Sequence, residues 1–294
     1  MPHLDVNGVR LYYEEAGAGT PLVFVHEFAG DLRSWEPQLR FFARRYRAIA
    51  FNARGYPPSE VPARAEMYSQ DIHVADIVAV MDALGIARAH VVGCSMGGYA
   101  AIHFAIRHAD RALSCTAIGA GFGSDPDKRA QFLDDTEAQA KRFDELGMPA
   151  AVRDYKAGPS RVQLMNRDPR GYEEFAHQFE SHSALGSAHT LRGVQAKRPT
   201  IYALEPGLRA CRVPLLVVSG DEDDNCLEPG IFIKRVCMSA NLLVVPASGH
   251  AVNLEEPDFF NRALLDFLTA VDTGAWRARD PRSLGKSTLA NRGA

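Results

Sequence analysis

The stretch Val91-Val-Gly-Cys-Ser-Met-Gly-Gly98 places Ser95 between two glycines, in the pattern Gly-x-Ser-x-Gly. An apolar run, Ala89–Val92, leads into it, and a helix-compatible run, Tyr99–His108, follows. A strand that turns so sharply into a helix strains the backbone of the serine and requires small neighbours. The turn lifts the hydroxyl clear of the sheet, beside the free N–H groups of the helix N-terminus. The stretch therefore predicts a nucleophilic serine on a strand-to-helix turn.

The rest of the chain offers partners for this serine. A serine that attacks an acyl group needs a base to take its proton and an acid to orient that base. After Ser95, a buried strand over residues 214–218 runs into the acidic turn Gly220-Asp-Glu-Asp223. A second buried strand, Leu242–Val245, ends in a loop that carries His250. Both candidates follow the C-terminal end of a strand, where open parallel sheets place ligands.

The interval between acid and base leaves room for one helix, at about Gly230–Met238, and one strand, so the two loops should be neighbours. Four acidic residues stand together in the acid loop. Asp223 is the favoured acid, with Asp221 and Asp224 as alternatives, and the remaining charges should be solvated. No histidine or cysteine stands there at metal-ligand spacing, so no metal is expected.

With these motifs in order, the chain resembles the α/β-hydrolase fold family, in its single-cap serine esterase and carbon–carbon hydrolase branch. The resemblance runs from about Leu4 to about Val271. Besides the serine turn, it depends on four motifs: His26-Glu-Phe-Ala-Gly30, Asn52-Ala-Arg-Gly55-Tyr-Pro-Pro-Ser59, Gly220-Asp-Glu-Asp223, and Gly249-His250 followed by Asn253-Leu-Glu-Glu-Pro257.

The resemblance implies a role for each matching residue. Ser95 matches the nucleophile, Asp223 the acid and His250 the base, while the backbone N–H groups of Phe28 and Met96 match the oxyanion hole. It implies no metal and no organic cofactor. A serine at the turn also argues against the haloalkane dehalogenase and epoxide hydrolase branches, which use aspartate there.

Strands and helices alternate along the chain, which predicts an α/β fold with a mostly parallel eight-stranded sheet and helices on both faces. Asn7-Gly8 predicts a type I′ hairpin and thus an antiparallel start. Residues 1–121 and 205–271 should form the core, 122–204 a helical cap over the serine, and 272–294 a C-terminal tail. Helices are expected at Trp35–Arg45, Ser69–Leu84, Met96–Ile106 and Pro257–Ala270. In the second, apolar residues at 72, 75, 78, 81 and 84 form a stripe.

Composition restricts the partners. The 294 residues carry a net charge of −3, without the basic footprint of a nucleic-acid or membrane-surface protein. No apolar run reaches the ~18 residues of a membrane helix, and the N-terminus lacks the pattern of a signal peptide. Five cysteines without C-x-x-C spacing fit a reducing compartment. We therefore expect a cytoplasmic enzyme that acts on a small molecule, with a homodimer as the default oligomeric state.

Glu27 stands where the family usually has glycine. A carboxylate there would oppose developing negative charge unless it is paired or turned away. Arg54 is the expected partner, and a solvent-facing Glu27 is an alternative of nearly equal weight. His26 should support the loop through hydrogen bonds, and Cys94 should pack in the core.

The helical cap contains candidate pocket residues, although helix aromatics and histidines more often pack or face solvent. These candidates are Tyr155, Tyr172, Phe175, His177, Phe179, His182 and His189.

Three functions stay open at this point. The first is hydrolysis of a carboxylic ester with a small or medium acyl group, lactones and thioesters included. The second is carbon–carbon bond hydrolysis of the meta-cleavage type. The third is a non-catalytic member that only binds a ligand, which should have lost one of the three catalytic residues; all three are present.

Overall fold

A computed structural model describes residues 2–284. Its eight-stranded sheet has the order β1-β2-β4-β3-β5-β6-β7-β8, in which β1/β2 and β2/β4 are antiparallel and all other neighbours are parallel. This confirms the predicted fold class. The strands are β1 His3–Val6, β2 Val9–Ala16, β3 Pro21–Val25, β4 Arg47–Phe51, β5 Ala89–Cys94, β6 Ala112–Ile118, β7 Leu215–Gly220 and β8 Ala240–Val245.

Helices connect the parallel strands and also fill the segment between β6 and β7. They are α1 Glu36–Phe42, α2 Gln70–Ala83, α3 Met96–Arg107, α4 Arg129–Leu146, α5 Met148–Ala151, α6 Arg153–Lys156, α7 Val162–Arg167, α8 Pro169–Glu180, α9 Ala184–Thr190, α10 Glu205–Ala210, α11 Asp224–Val236, α12 Val252–Glu255 and α13 Pro257–Asp272. A π-helical turn, Leu191–Gln195, follows α9. Within the described residues, no helix is long and apolar enough to cross a membrane.

Both faces of the sheet are buried, because alternate residues of each strand enter different cores. In β3, Val23 and Val25 pack with α2 and α3, whereas Leu22 and Phe24 pack with α1 and α13. Central strands covered on both faces give the sheet a rigid edge at its carboxyl end, where the candidate site lies.

The predicted hairpin is confirmed, with positive φ at Asn7 (47°) and Gly8 (73°). The predicted α2 is also confirmed within one residue at each end. Its predicted stripe is confirmed only in part: Met81 is buried and Val78 and Leu84 pack against the core, whereas Ala75 is exposed. The other buried apolar residues are Val74, Ile77 and Val80.

Most of the chain between β6 and β7, residues 122–204, is here called the helical insertion. It packs on the carboxyl end of the sheet. A third apolar cluster joins Phe28 and Met96 of the sheet side to Phe143, Phe175 and Phe179 of the insertion. The domain boundaries stay predictions. The predicted tail is described only to residue 284, and its remainder lies outside the described residues.

Candidate active site

Ser95 sits in a strained turn between β5 and α3. Its φ of 52° and ψ of −107° place a non-glycine residue in the left-handed half of backbone space. A Cβ on Gly93 would lie 2.0 Å from the carbonyl oxygen of Gly97, and one on Gly97 would lie 2.1 Å from the carbonyl oxygen of Val25. Only glycine fits at either position, which explains the flanking pattern.

Asp223 and His250 meet although they lie far apart in the chain. Asp223 Oδ2 accepts a hydrogen bond from His250 Nδ1 at 2.7 Å, and both side chains are buried. Asp221, Glu222 and Asp224 are exposed. The geometry thus selects Asp223 from the acidic group. It leaves His250 Nε2 as the ring nitrogen available to another partner.

The His250 loop is held by a residue that the sequence analysis did not single out. The backbone N–H groups of Gly249 and Ala251, on either side of the histidine, both donate to the carboxylate of Glu255. Gly220 lets the loop approach β7, since a Cβ there would lie 2.1 Å from the carbonyl oxygen of Ser248. These contacts fix the imidazole against the acid.

The charges of the two residues shift their pKa values apart. Burial lowers the pKa of His250, but the Asp223 carboxylate outweighs it, so the pKa lies above its ordinary 6.5. Burial raises the pKa of Asp223, but the charge and hydrogen bond of His250 bring it below its ordinary value. An imidazolium is therefore stabilised at this position.

Cys226 lies beside the pair. Potential ligand atoms of Asp223, Cys226 and His250 lie within 4.8 Å of one another. However, burial raises the pKa of the Cys226 thiol well above its ordinary value, and the thiol donates to the carbonyl oxygen of Gly119 at 3.2 Å. The expectation that no histidine or cysteine stands at ligand spacing beside the acid is therefore wrong, but Asp223 and Cys226 are both already used in hydrogen bonds. Cys94 packs in the core, as predicted.

His26 fixes the loop that carries the Phe28 N–H. Its Nδ1 donates to the carbonyl oxygen of Glu27 at 2.7 Å, and its Nε2 accepts from the N–H of Ala53 at 3.0 Å. Burial lowers the pKa of His26 to about 4, so the ring is neutral. Because C=O and N–H of a trans peptide point in opposite directions, holding the Glu27 carbonyl also sets the direction of the Phe28 N–H.

The second expected oxyanion donor belongs to Met96, the first residue of α3. The N–H groups of the first helical turn have no acceptor within the helix, so this N–H is free of the α3 ladder. The oxyanion roles of Phe28 and Met96 stay predictions.

The expected pairing of Glu27 is wrong. Glu27 is only 3% exposed and binds both terminal nitrogens of Arg161, which is 1% exposed. Arg54 instead binds both carboxylate oxygens of Asp76 at 2.7 Å. Arg161 comes from the helical insertion, and which of its residues contact the Glu27 loop could not be derived from sequence.

A cavity of about 370 Å³ lies between the sheet and the helical insertion. Ser95, Asp223 and His250 all line it. Of the predicted pocket residues, Tyr155 alone is among the lining residues. The others pack or bond elsewhere: Tyr172, Phe175, His177, Phe179, His182 and His189.

Several lining residues were missed by sequence reasoning. Gln195 and Arg198 line the cavity and are buried. Neighbouring Lys197 is exposed, and nothing in the local sequence separates it from Arg198. The π-helical turn that ends at Gln195 shifts the helical register, so the periodicity of the sequence does not predict which side chains face the cavity.

The chain is similar to known proteins in sequence and in fold. A sequence profile of the alpha/beta hydrolase fold matches residues 20–257. The chain belongs to this family. The chain is 28% identical to 3-oxoadipate enol-lactonase 2 of Acinetobacter baylyi, over 89% of this chain and 94% of that protein. It is likewise 28% identical to a 2-hydroxymuconate semialdehyde hydrolase of a Pseudomonas species, over 91% and 93%.

Among solved structures, the enol-lactonase of Burkholderia xenovorans superposes with a TM-score of 0.80 at 27% identity, covering 91% of this chain and all of that one. The chain is therefore an enzyme of the alpha/beta hydrolase family, and its relatives include lactonases and carbon–carbon hydrolases.

Proposed function

We propose that this hydrolase cleaves a carboxylic ester, lactones included, through Ser95, His250 and Asp223. The observation that carries the proposal is the buried hydrogen bond from His250 Nδ1 to Asp223, on the wall of the cavity that also exposes Ser95. The enol-lactonase relatives support it, because a lactone is a cyclic ester.

In this mechanism, Ser95 Oγ attacks the ester carbonyl while His250 Nε2 takes the hydroxyl proton. Asp223 holds the imidazole in the required tautomer and stabilises the imidazolium. The N–H groups of Phe28 and Met96 bind the oxygen as it gains charge, and one such donor is typically worth ~10²–10³ in kcat. The imidazolium then protonates the leaving alcohol. Water repeats the sequence on the acyl-enzyme and releases the acid.

The test is turnover of p-nitrophenyl acetate and butyrate by the purified protein. Ser95→Ala should lower kcat by several orders of magnitude. A serine-directed phosphonate should label the wild type at one equivalent on Ser95. Ser160→Ala, which removes another hydroxyl from the same cavity, should still be labelled. Labelling at any other residue would contradict the proposed nucleophile.

The alternative is carbon–carbon bond hydrolysis, which the 2-hydroxymuconate semialdehyde hydrolase relative favours. Cleavage of a vinylogous 1,5-diketone without ester turnover would replace the ester proposal by this one.

A further inference from the structure

Arg198 is a buried cation with unused hydrogen-bond donors. It is 3% exposed, and its guanidinium stacks on the ring of Tyr99 at 3.7 Å. Nη2 donates to the carbonyl oxygen of Phe122 at 3.0 Å. Nε and Nη1 are buried and have no hydrogen-bond partner among the described residues. A guanidinium carries five N–H groups, so most of its donor capacity is unused.

Two other buried arginines near the site each have a carboxylate partner. Arg54 binds both oxygens of Asp76, and Arg161 binds both oxygens of Glu27. No carboxylate of residues 2–284 lies within ion-pair distance of Arg198. A buried charge without a counter-charge is costly, so this arginine differs from the two that serve the fold.

The surroundings of Arg198 add no negative charge. Arg129 donates to the carbonyl oxygen of Arg198 at 3.1 Å, which brings a second guanidinium into the neighbourhood. Burial lowers the pKa of Arg198, yet a guanidinium stays protonated in proteins. Arg198 therefore has a second guanidinium nearby and, among the described residues, no carboxylate within ion-pair distance.

Arg198 faces the cavity that Ser95 and His250 line. The two carboxylates on the cavity wall are already engaged: Asp223 bonds His250, and exposed Asp135 accepts from a neighbouring glutamine at 2.7 Å. A second unpartnered polar atom, Gln195 Oε1, is buried on the same wall. The same cavity is thus lined by Ser95, Asp223 and His250 and by Arg198, whose Nε and Nη1 have no acceptor among the described residues.

We propose that Arg198 binds a carboxylate carried by the substrate, so that the enzyme prefers esters that also bear a free carboxylate. The Arg198 Nε–H and Nη1–H groups donate to the carboxylate oxygens, and Gln195 Oε1 accepts from a hydroxyl or amide of the same molecule. A charge-assisted hydrogen bond from a buried guanidinium gives both affinity and orientation. This inference rests on the proposed ester hydrolysis at Ser95.

The test compares monomethyl esters of succinate, glutarate and adipate with the corresponding dimethyl esters, which are neutral. Hydrolysis is followed by proton release. The wild type should prefer at least one monoacid, and Arg198→Met should lower the ratio of kcat/KM for monoacid over diester about 10–100-fold. Arg198→Lys should retain part of the preference. Lys197→Met, an exposed neighbouring cation, is the matched control and should leave the ratio unchanged.

Two outcomes separate this inference from the proposed function. If the wild type hydrolyses neither ester, ester hydrolysis itself is contradicted. If it hydrolyses both while Arg198→Met leaves the ratio unchanged, only the carboxylate site is overturned.

A second measurement covers an Arg198 variant that does not fold. Calorimetry with Ser95→Ala protein should find monomethyl glutarate or adipate binding about 10–100-fold more tightly than its dimethyl ester. Equal affinities would overturn the inference.

Discussion

The buried pair of Glu27 and Arg161 allows a quantitative prediction. Arg161→Met removes the guanidinium and leaves a carboxylate that is only 3% exposed without its counter-charge. Breaking such a pair from one side costs about 3–5 kcal/mol. For a chain of 294 residues, the unfolding entropy is about 0.6 kcal/mol/K, so the Tm should fall by about 5–8 °C.

The loss should depend on pH in a defined direction. Burial raises the pKa of Glu27, but Arg161 outweighs it, so in the wild type this pKa lies below its ordinary 4.5. The pair therefore contributes stability above that pH and loses it as pH falls. In Arg161→Met, burial is the largest influence that remains and raises the pKa of Glu27, so stability falls as pH rises through the new value. The difference between wild type and variant should be larger at pH 8 than at pH 5.

Urea unfolding at pH 5, 6.5 and 8 measures this difference. Arg170→Met is the control, because the Arg170 side chain is 90% exposed and its surface pair with Glu174 is worth at most about 1 kcal/mol. The double variant Glu27→Gln/Arg161→Met should regain most of the loss, since no charge is left buried. If Arg161→Met is as stable as Arg170→Met at pH 8, the reasoning about the buried pair is refuted.

Three further predictions concern the site. Asp223→Asn should lower kcat by about 10⁴-fold. It should also move the acid limb of the kcat/KM profile to lower pH, because the raised pKa of His250 depends on that carboxylate. An unmoved limb would mean that another residue raises the pKa of His250. Glu255→Ala strands two buried N–H groups and should cost about 2–6 kcal/mol in urea unfolding, with Glu255→Gln between it and the wild type. Burial lowers the pKa of His26 to about 4, whereas the unfolded chain takes up this proton near pH 6.5. The free energy of unfolding should therefore fall by about 2 kcal/mol between pH 7 and pH 5, and less in a His26→Asn variant. Equal pH dependence in both proteins would mean that His26 is charged in the folded state.

Features set by local sequence could be predicted. The turn at Ser95 follows from two glycines that no other residue can replace, and the order of acid and base follows from strand ends that a parallel sheet brings together. The helix after the acid was placed too late, since α11 begins at Asp224 rather than near Gly230. The structure has Pro229 inside that helix.

Features that depend on how the helical insertion packs could not be predicted. The partner of Glu27 comes from an element 134 residues away. The cavity wall depends on which of two adjacent cations, Lys197 or Arg198, turns inward after a π-helical turn. The hydropathy of the sequence indicates neither the partner of Glu27 nor the cation that faces inward, because tertiary contacts alone decide both.

The contact between Glu27 and Arg161 limits how this enzyme can be recombined with its relatives. A chimera could take the helical insertion from a protein with an apolar residue at the position of Arg161. It would leave the Glu27 carboxylate buried without a counter-charge. A chimera that keeps the insertion but has glycine at position 27 would leave the Arg161 guanidinium buried without a counter-charge. Exchanging positions 27 and 161 together leaves no buried charge unpaired in either chimera. The two positions therefore have to be transferred as a pair, although they lie on opposite sides of the boundary between insertion and sheet.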